Sequence, residues 1–259
     1  MIRYVRFLKP AEGISEQSLN AFRCDTLGPL VAGLQVELRL VRYVQTHRCS
    51  KSLETEAAFL SLRPGSRNDF VGLEEFWWKD ERSALDALTA TDGAFAKILQ
   101  SQEGWMDPYA AAGWLAVDYP QVANGLGRVI AAPKSGIVRL IFAVSPSILL
   151  GEIKARKYWL IEHGPLIRSL APARGALAYI QVHRQRDDVE EALRSACIFT
   201  ESPCMGHAEA WFSDTSNPVG GDALAAVETA VMDERNFLDW SNSFVLVGKE
   251  LVFVERNWL

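Results

Sequence analysis

YWLIEHGPLIRSLAPARGALAYIQVHR, residues 158–184, has a counterpart earlier in the chain. LGPLVAGL (27–34), followed by RYVQTHR (42–48), aligns without a gap with HGPLIRSL (163–170), followed by AYIQVHR (178–184). Gly164 and Pro165 lie 136 residues after Gly28 and Pro29. Tyr179, Gln181, His183 and Arg184 lie the same 136 residues after Tyr43, Gln45, His47 and Arg48. One offset shared by two separated motifs marks an internal duplication. Upstream, IRYVRFLKP (2–10) faces VRLIFAVSP (138–146), so Pro10 falls opposite Pro146. Downstream, GLEEFWW (72–78) faces GHAEAWF (206–212). There Glu75 matches Glu209 and Trp77 matches Trp211, with the offset slipped by two residues as a loop deletion would do. The chain therefore reads as two related halves, 1–122 and 137–259. They are joined by VANGLGRVIAAPKSG, whose Gly, Pro and Ser content is that of a connector.

Composition narrows the function classes. The 259 residues carry 27 Lys and Arg against 32 Asp and Glu, a net charge of −5. That balance argues against nucleic acid as a partner, because phosphate binding needs a basic surface. Hydrophobic residues make up 49%, enough for a substantial core. No apolar run reaches the roughly 18 residues of a membrane span, and the charged N-terminus reads as a first strand rather than a signal peptide. The four cysteines, Cys24, Cys49, Cys197 and Cys204, form no CxxC pair and no disulfide framework. Reduced thiols in the cytoplasm are the expectation. No GxGxxG follows the first strand, no GxxxxGK[ST] occurs, and no GxSxG elbow is present. Gly125-Leu126-Gly127 is too short for a dinucleotide fingerprint. Nicotinamide, ATP and serine-hydrolase chemistry are disfavoured.

Each half has the same order of elements. In the first, residues 2–8 alternate as a strand. Residues 15–27 have helical spacing with Ser15 as N-cap, and Gly28-Pro29 should end or kink that helix. Strands follow at 38–47 and 70–78, a helix at 80–90 and a strand at 112–118. The second half repeats this with strands at 137–144, 176–184, 205–212 and 244–254, and helices at 148–163 and 221–232. The order β-α-β-β-α-β is ferredoxin-like. Such a sheet has helices on one face only, so its other apolar face needs a cover. Two fused halves provide one, giving an α+β protein folded as an intramolecular dimeric α+β barrel. In residues 179–183, Ile180 and Val182 point to the greasy face, and Tyr179, Gln181 and His183 point towards the helices. With the second copy in the same chain a monomer suffices, and further homodimerisation is a possible partner state.

YWLIEHGPL with AYIQVHR resembles the EthD-like branch of the dimeric α+β-barrel superfamily, and DERNFLDWSNSFVLVGKELVFVE (233–255) is similar to that family's C-terminal helix and strand. The resemblance covers most of 137–259 and, more weakly, 1–122. It implies a ligand pocket between the sheet and its helices within one half. It also implies small-molecule chemistry on aromatic or polyketide-like compounds, most often without a cofactor and in some relatives with haem. Fold alone does not fix the reaction.

The second half keeps the fuller set of chemical groups. Trp159 and His163 are four apart and share a helix face, whereas Arg23 and Leu27 stand opposite them in the first half. Catalysis is assigned to His163 as general acid or base, with Tyr179 and His183 to bind or polarise a substrate oxygen. Trp159, Gln181, His207, Glu209, Trp211, Tyr43 and His47 are the expected substrate-binding residues. Each has a bland reading. His163 caps a helix before Gly-Pro, His183 and His47 make structural hydrogen bonds, Tyr179 is a satisfied core tyrosine, and the tryptophans pack the core. His207 and Glu209 alternate on what reads as a solvated strand face, with a His–carboxylate pair as the functional version. As metal ligands His163, His183, His207 and Glu209 lack a tight motif such as HExxH, so no metal is expected. Asp187, Asp188, Glu190 and Glu191 read as a charged surface run. The expected function is a cofactor-independent lyase or isomerase acting by His/Tyr proton transfer on a small hydrophobic, aromatic or phenolic substrate. A haem-binding oxidoreductase and a non-catalytic ligand-binding protein are the alternatives.

Overall fold

A computed structural model describes residues 1–49, 52–107, 112–123, 127–185, 188, 190–197, 203–213 and 221–256. Gly125, Leu126 and Asp187 lie outside the described residues, as do the side chains of Glu190 and Cys197. The first half runs β1 (Ile2–Leu8), α1 (Glu16–Phe22), α2 (Gly28–Gly33), β2 (Arg42–Arg48), α3 (Ser52–Ser61), β3 (Gly72–Trp78), α4 (Glu81–Thr89), α5 (Ala94–Ser101) and β4 (Ala112–Val122). The second runs β5 (Ile137–Pro146), α6 (Glu152–Tyr158), α7 (Gly164–Arg174), β6 (Ala178–Arg184), α8 (Glu190–Cys197), β7 (Gly206–Ser213), α9 (Gly221–Glu234) and β8 (Leu238–Glu255). The ferredoxin-like order is present in both halves, with a helix added between the second and third strands of each.

The strands close into one antiparallel barrel, β1-β3-β2-β8-β5-β7-β6-β4. Each half supplies four neighbouring strands, and the halves meet at two seams, β2 with β8 and β4 with β6. Each seam joins the last strand of one half to the second strand of the other, so the arrangement is pseudo-two-fold. Because β1 and β5 stand four strands apart in an antiparallel order, they run parallel, and the pseudo-axis lies along the barrel. Closure leaves no sheet edge unpaired, so the pairing that a second chain would supply in a dimer is internal here.

Two sequence expectations need correction. Of the two outcomes expected at Gly28-Pro29, an end or a kink, the end does not occur. A π-helical turn, Arg23–Leu27, links α1 to α2, and the Gly28 N–H reaches back to the Arg23 carbonyl. Trp159–His163 does the same before Gly164-Pro165, and the helix continues to Arg174. Proline lacks an N–H and crowds the preceding turn, and the wider π spacing accommodates both defects without breaking the helix. The second correction concerns strand starts. β2 begins at Arg42 rather than 38, because residues 34–39 form a turn. β8 begins at Leu238 rather than 244, with an early extension paired with Ser145 and Pro146.

The barrel interior is apolar at one end and charged at the other. Phe7, Phe70, Leu73, Trp114, Phe244 and Leu246 fill the first. Arg3, Glu75, Arg139, Glu209 and Glu250 fill the second, and all are buried. Outside the barrel, helices cover both sheets and some cross between the halves: α3 of the first half packs on β8 of the second, and α8 of the second packs on α4 and β4 of the first.

Candidate active site

The outward faces of β3 and β7 are repeat equivalents, but they carry different side chains. Glu74, Phe76 and Trp78 project towards the helices of the first half, where Ala208, Ala210 and Phe212 stand in the second. On β1 and β5, Arg6 stands opposite Phe142. The first half is therefore full. Glu74 takes an ion pair from Arg6 at 2.7 Å and a hydrogen bond from the Tyr43 hydroxyl at 3.2 Å, and Phe76 packs against Tyr43 and Phe95. In the second half the two alanines leave a cavity between sheet and helices. Trp159, His163, Tyr179, Ala210, Phe142 and Phe237 are among its walls. Phe59 on α3 of the first half and Arg63 just after that helix complete it. Such a mainly apolar cleft with a few polar groups is the usual form of a small-molecule site.

His163 is held by a carboxylate. It ends the second π-turn, and its Nδ1–H donates to Asp233 Oδ2 at 2.7 Å. The Tyr158 hydroxyl donates to the other oxygen of Asp233 at 2.7 Å. Burial pushes the Asp233 carboxyl up, but the bonds from His163 and Tyr158 outweigh it and hold it below its ordinary value. An Nδ1–H donor bond fixes the tautomer, so Nε2 is the ring's basic atom. A histidine oriented by a carboxylate on the wall of an apolar cavity has the parts of a general base.

Tyr179 is buried and lines the same cavity. Burial pushes its hydroxyl up to about 12, against hydrogen bonding with Trp159 and Gln181. It stays protonated at neutral pH and can donate to a substrate oxygen. Gln181 and His183 serve a different purpose. Gln181 Nε2 donates at 2.7 Å to the Trp159 carbonyl, the acceptor of the Gly164 N–H at the π-turn. His183 Nε2 bonds Gln181 Oε1 at 3.1 Å, and its ring stacks on Trp159 with centroids 4.2 Å apart. The first half repeats the device. Gln45 donates to the Arg23 carbonyl at 3.0 Å, and His47 bonds Gln45 at 2.7 Å. Burial lowers His183 to about 3, with help from Arg156 and His207, and lowers His47 to about 2, with help from Arg23. Both are neutral donors that orient an amide. The recurring Tyr-x-Gln-x-His motif and the Gly-Pro motif thus belong together: the glutamine pins the π-turn that the proline requires.

Known proteins resemble this chain in sequence over part of the second half and in fold over its whole length. Residues 151–241 match the EthD domain family. The matched stretch lies within the second half. The whole chain also superposes on the crystal structure of an anthrone oxidase-like protein, with a TM-score of 0.56 and 10% identity over 98% of this chain and 93% of that one, a likeness of fold. No curated protein matches the chain in sequence.

The EthD domain does not gather all the expected site residues. His207, Glu209 and Trp211 point to the other face of β7, into the barrel. The solvated strand face expected for His207 and Glu209 is wrong, since both are buried. His207 bonds Glu209 at 2.8 Å. Glu209 pairs with Arg139 at 2.5 Å and Arg3 at 2.8 Å. Burial pushes Glu209 up, but Arg139, Arg3 and His207 hold it well below its ordinary value. The repeat explains the cluster. Arg3 and Arg139 are equivalent, as are Glu75 and Glu209, and each arginine lies over its own half's tryptophan, Trp77 or Trp211. His207 has no equivalent, since Leu73 stands opposite it. Ligand atoms of Glu75, His207 and Glu209 do converge within 4.8 Å, but Arg3 and Arg139 already supply the positive charge there. His163 and His183 are on the far side of the sheet from this cluster, so the four-residue metal constellation is not assembled. Tyr43 and His47 are buried in the filled first half.

Sequence reading missed Asp233, Tyr158, Arg63, Arg174 and Glu234. Asp233 lies 70 residues from His163, and no local spacing links them. The only signal was the likeness of the segment starting at Asp233 to the family's C-terminal helix and strand.

Proposed function

We propose that the EthD-domain cavity is the active site of a cofactor-independent lyase or isomerase for a hydrophobic, aromatic or phenolic substrate. The observation that carries this reading is the His163–Asp233 pair on the wall of an apolar cavity, at the place that Glu74 and Phe76 occupy in the first half. His163 Nε2 takes a proton from the substrate's phenol or an acidified C–H. Asp233 keeps the imidazole in register and stabilises the imidazolium that forms. Tyr179 donates a hydrogen bond to the oxygen on which negative charge accumulates. The apolar walls strengthen both interactions by excluding water. Electron flow from the phenolate or enolate then expels a hydroxyl group, which leaves as water with the proton of the imidazolium, or shifts a double bond, with the imidazolium returning the proton at another carbon. In a decarboxylation the C–C bond pair flows into the carbonyl held by Tyr179, and the imidazolium protonates the resulting enolate carbon. His183 and Gln181 position Trp159 and the π-turn.

The test is turnover of phenolic and polyketide-like acids by wild type and by His163→Ala. Loss of turnover with an unchanged melting temperature supports the assignment, and wild-type turnover in the variant would falsify it. A histidine whose free Nε2 is backed by a carboxylate is also the donor pattern of an axial haem ligand, and haem would bring redox chemistry to the site. The absorption spectrum of purified protein decides: a Soret band replaces the first reading with a haem oxidoreductase. Substrate-dependent oxygen uptake without that band would move it to a cofactor-free oxidase, the class named by the anthrone oxidase-like protein.

A further inference from the structure

We infer that Arg174 is an anion anchor in the EthD-domain cavity and that the molecule bound there carries a carboxylate on its aromatic body. This deepens the proposed function and rests on its placement of the site. Two guanidinium groups and one carboxylate reach the cavity: Arg63, Arg174 and Glu234. Arg63 uses both oxygens of Glu234, with Nε to Oε2 at 2.7 Å and Nη2 to Oε1 at 2.7 Å. Glu234 is thereby satisfied. Arg174 has no ion pair among the described residues, and its Nε is buried without a hydrogen-bond partner. Arg174 is half-buried with its Nε shielded, and the nearby Glu234 is already engaged by Arg63, so an arriving anion would supply the partner that this guanidinium does not have to itself.

The bland reading is a helix-end cation. Arg174 does close α7, and Gly175 follows in the left-handed conformation. A cation there suits the helix dipole. That explains the sign of the charge but not why the side chain turns into the cavity with Nε shielded. The repeat supplies an internal control. Leu38 stands 136 residues before Arg174 and is buried in the filled half. The position that carries Arg174 in the second half is thus apolar in the first. Its planar fork suits a carboxylate, which accepts two parallel N–H bonds. An aromatic ring would lie against Trp159, Phe142 and Phe237, with its acid group on Arg174 and its reacting atom near His163.

The experiment is equilibrium binding to the full chain at pH 7, using matched neutral and anionic probes. 2-Naphthoate is compared with 2-naphthamide, and 9-anthracenecarboxylate with its amide, by calorimetry. Wild type should bind the acids about tenfold or more tightly than the amides. Arg174→Gln should bind acid and amide alike, at the wild-type affinity for the amide, and Arg174→Lys should keep part of the preference. Equal wild-type affinity for acid and amide overturns the anchor and leaves the cavity reading standing, as does a preference that survives in Arg174→Gln. Failure of wild type to bind any probe overturns both. The wild-type acid–amide comparison does not depend on either variant folding.

Discussion

At the residue scale, the site turns on one pair and two neutral histidines. Asp233→Asn keeps the shape of the His163 partner but removes its charge. We expect kcat to fall by about 10²-fold or more, in the range of a lost general base, with little change in melting temperature. His163→Ala should abolish turnover. His183 and His47 predict a stability effect. Their folded-state values, about 3 and about 2, lie below the ordinary 6.5. Between those values the unfolded chain binds protons that the folded chain does not. Their contribution is therefore complete above about pH 6.5 and is lost as pH falls towards 3, by up to about 1.4 kcal/mol per pH unit for each histidine. Urea unfolding between pH 4.5 and 6.5 should show stability falling on acidification. His183→Gln should flatten the slope. A slope unchanged by that substitution would remove His183 as its source.

At the element scale, the two π-turns are what the repeated motifs encode. Each glycine ahead of the proline lets another group approach. A Cβ on Gly28 would meet the Phe253 ring at 2.1 Å, and one on Gly164 would meet Gln121 and Gln181 at 2.9 and 3.1 Å. Gly33, at the end of the same helix as Gly28, has nothing within 4 Å. Gly28→Ala should therefore destabilise by about 1–3 kcal/mol through overpacking. Gly33→Ala should be neutral or stabilising by up to about 1 kcal/mol through helix propensity. Denaturant midpoints of the two variants separate close packing from propensity. Of the end or kink expected at Gly-Pro, the end does not occur, because that part of the expectation rested on the chain's local geometry. The glutamine that rescues the turn comes from the next strand.

At the scale of the whole molecule, two equivalent halves have diverged in opposite directions. One buries Arg6, Glu74 and Tyr43 in its helix–sheet space; the other leaves that space open. Ala210→Phe should place in the second half the ring that Phe76 supplies in the first. Probe binding and turnover should be lost, while the melting temperature stays level or rises. Retention of tight binding would mean that the ligand sits elsewhere. The barrel interior is held by a shared charge network. Arg139 contacts Glu75, Glu209 and Glu250. Arg139→Met leaves carboxylates buried without their cation, and a loss of about 3–5 kcal/mol in denaturant unfolding is expected. Because Phe59 and Arg63 from the first half line the cavity of the second, the first half is a wall of the site as well as architecture.

The duplication, the ferredoxin-like order and the faces of β6 were legible in the chain because they are periodic. Alternation of side chains and a fixed offset are properties of the sequence itself. His163, Trp159 and Tyr179 could be singled out for the same reason, since neighbours on one helix or strand face share a short spacing. Which side of the sheet His207, Glu209 and Trp211 occupy relative to His163 was decided only by barrel closure. Period-two alternation tells two faces apart but does not say which becomes the interior. The partnership of His163 with Asp233, and of Arg63 with Glu234, likewise arose only in the folded chain. Residues 70 and 171 apart are brought together by packing, and neither pair leaves a local pattern that hydrophobic periodicity could reveal.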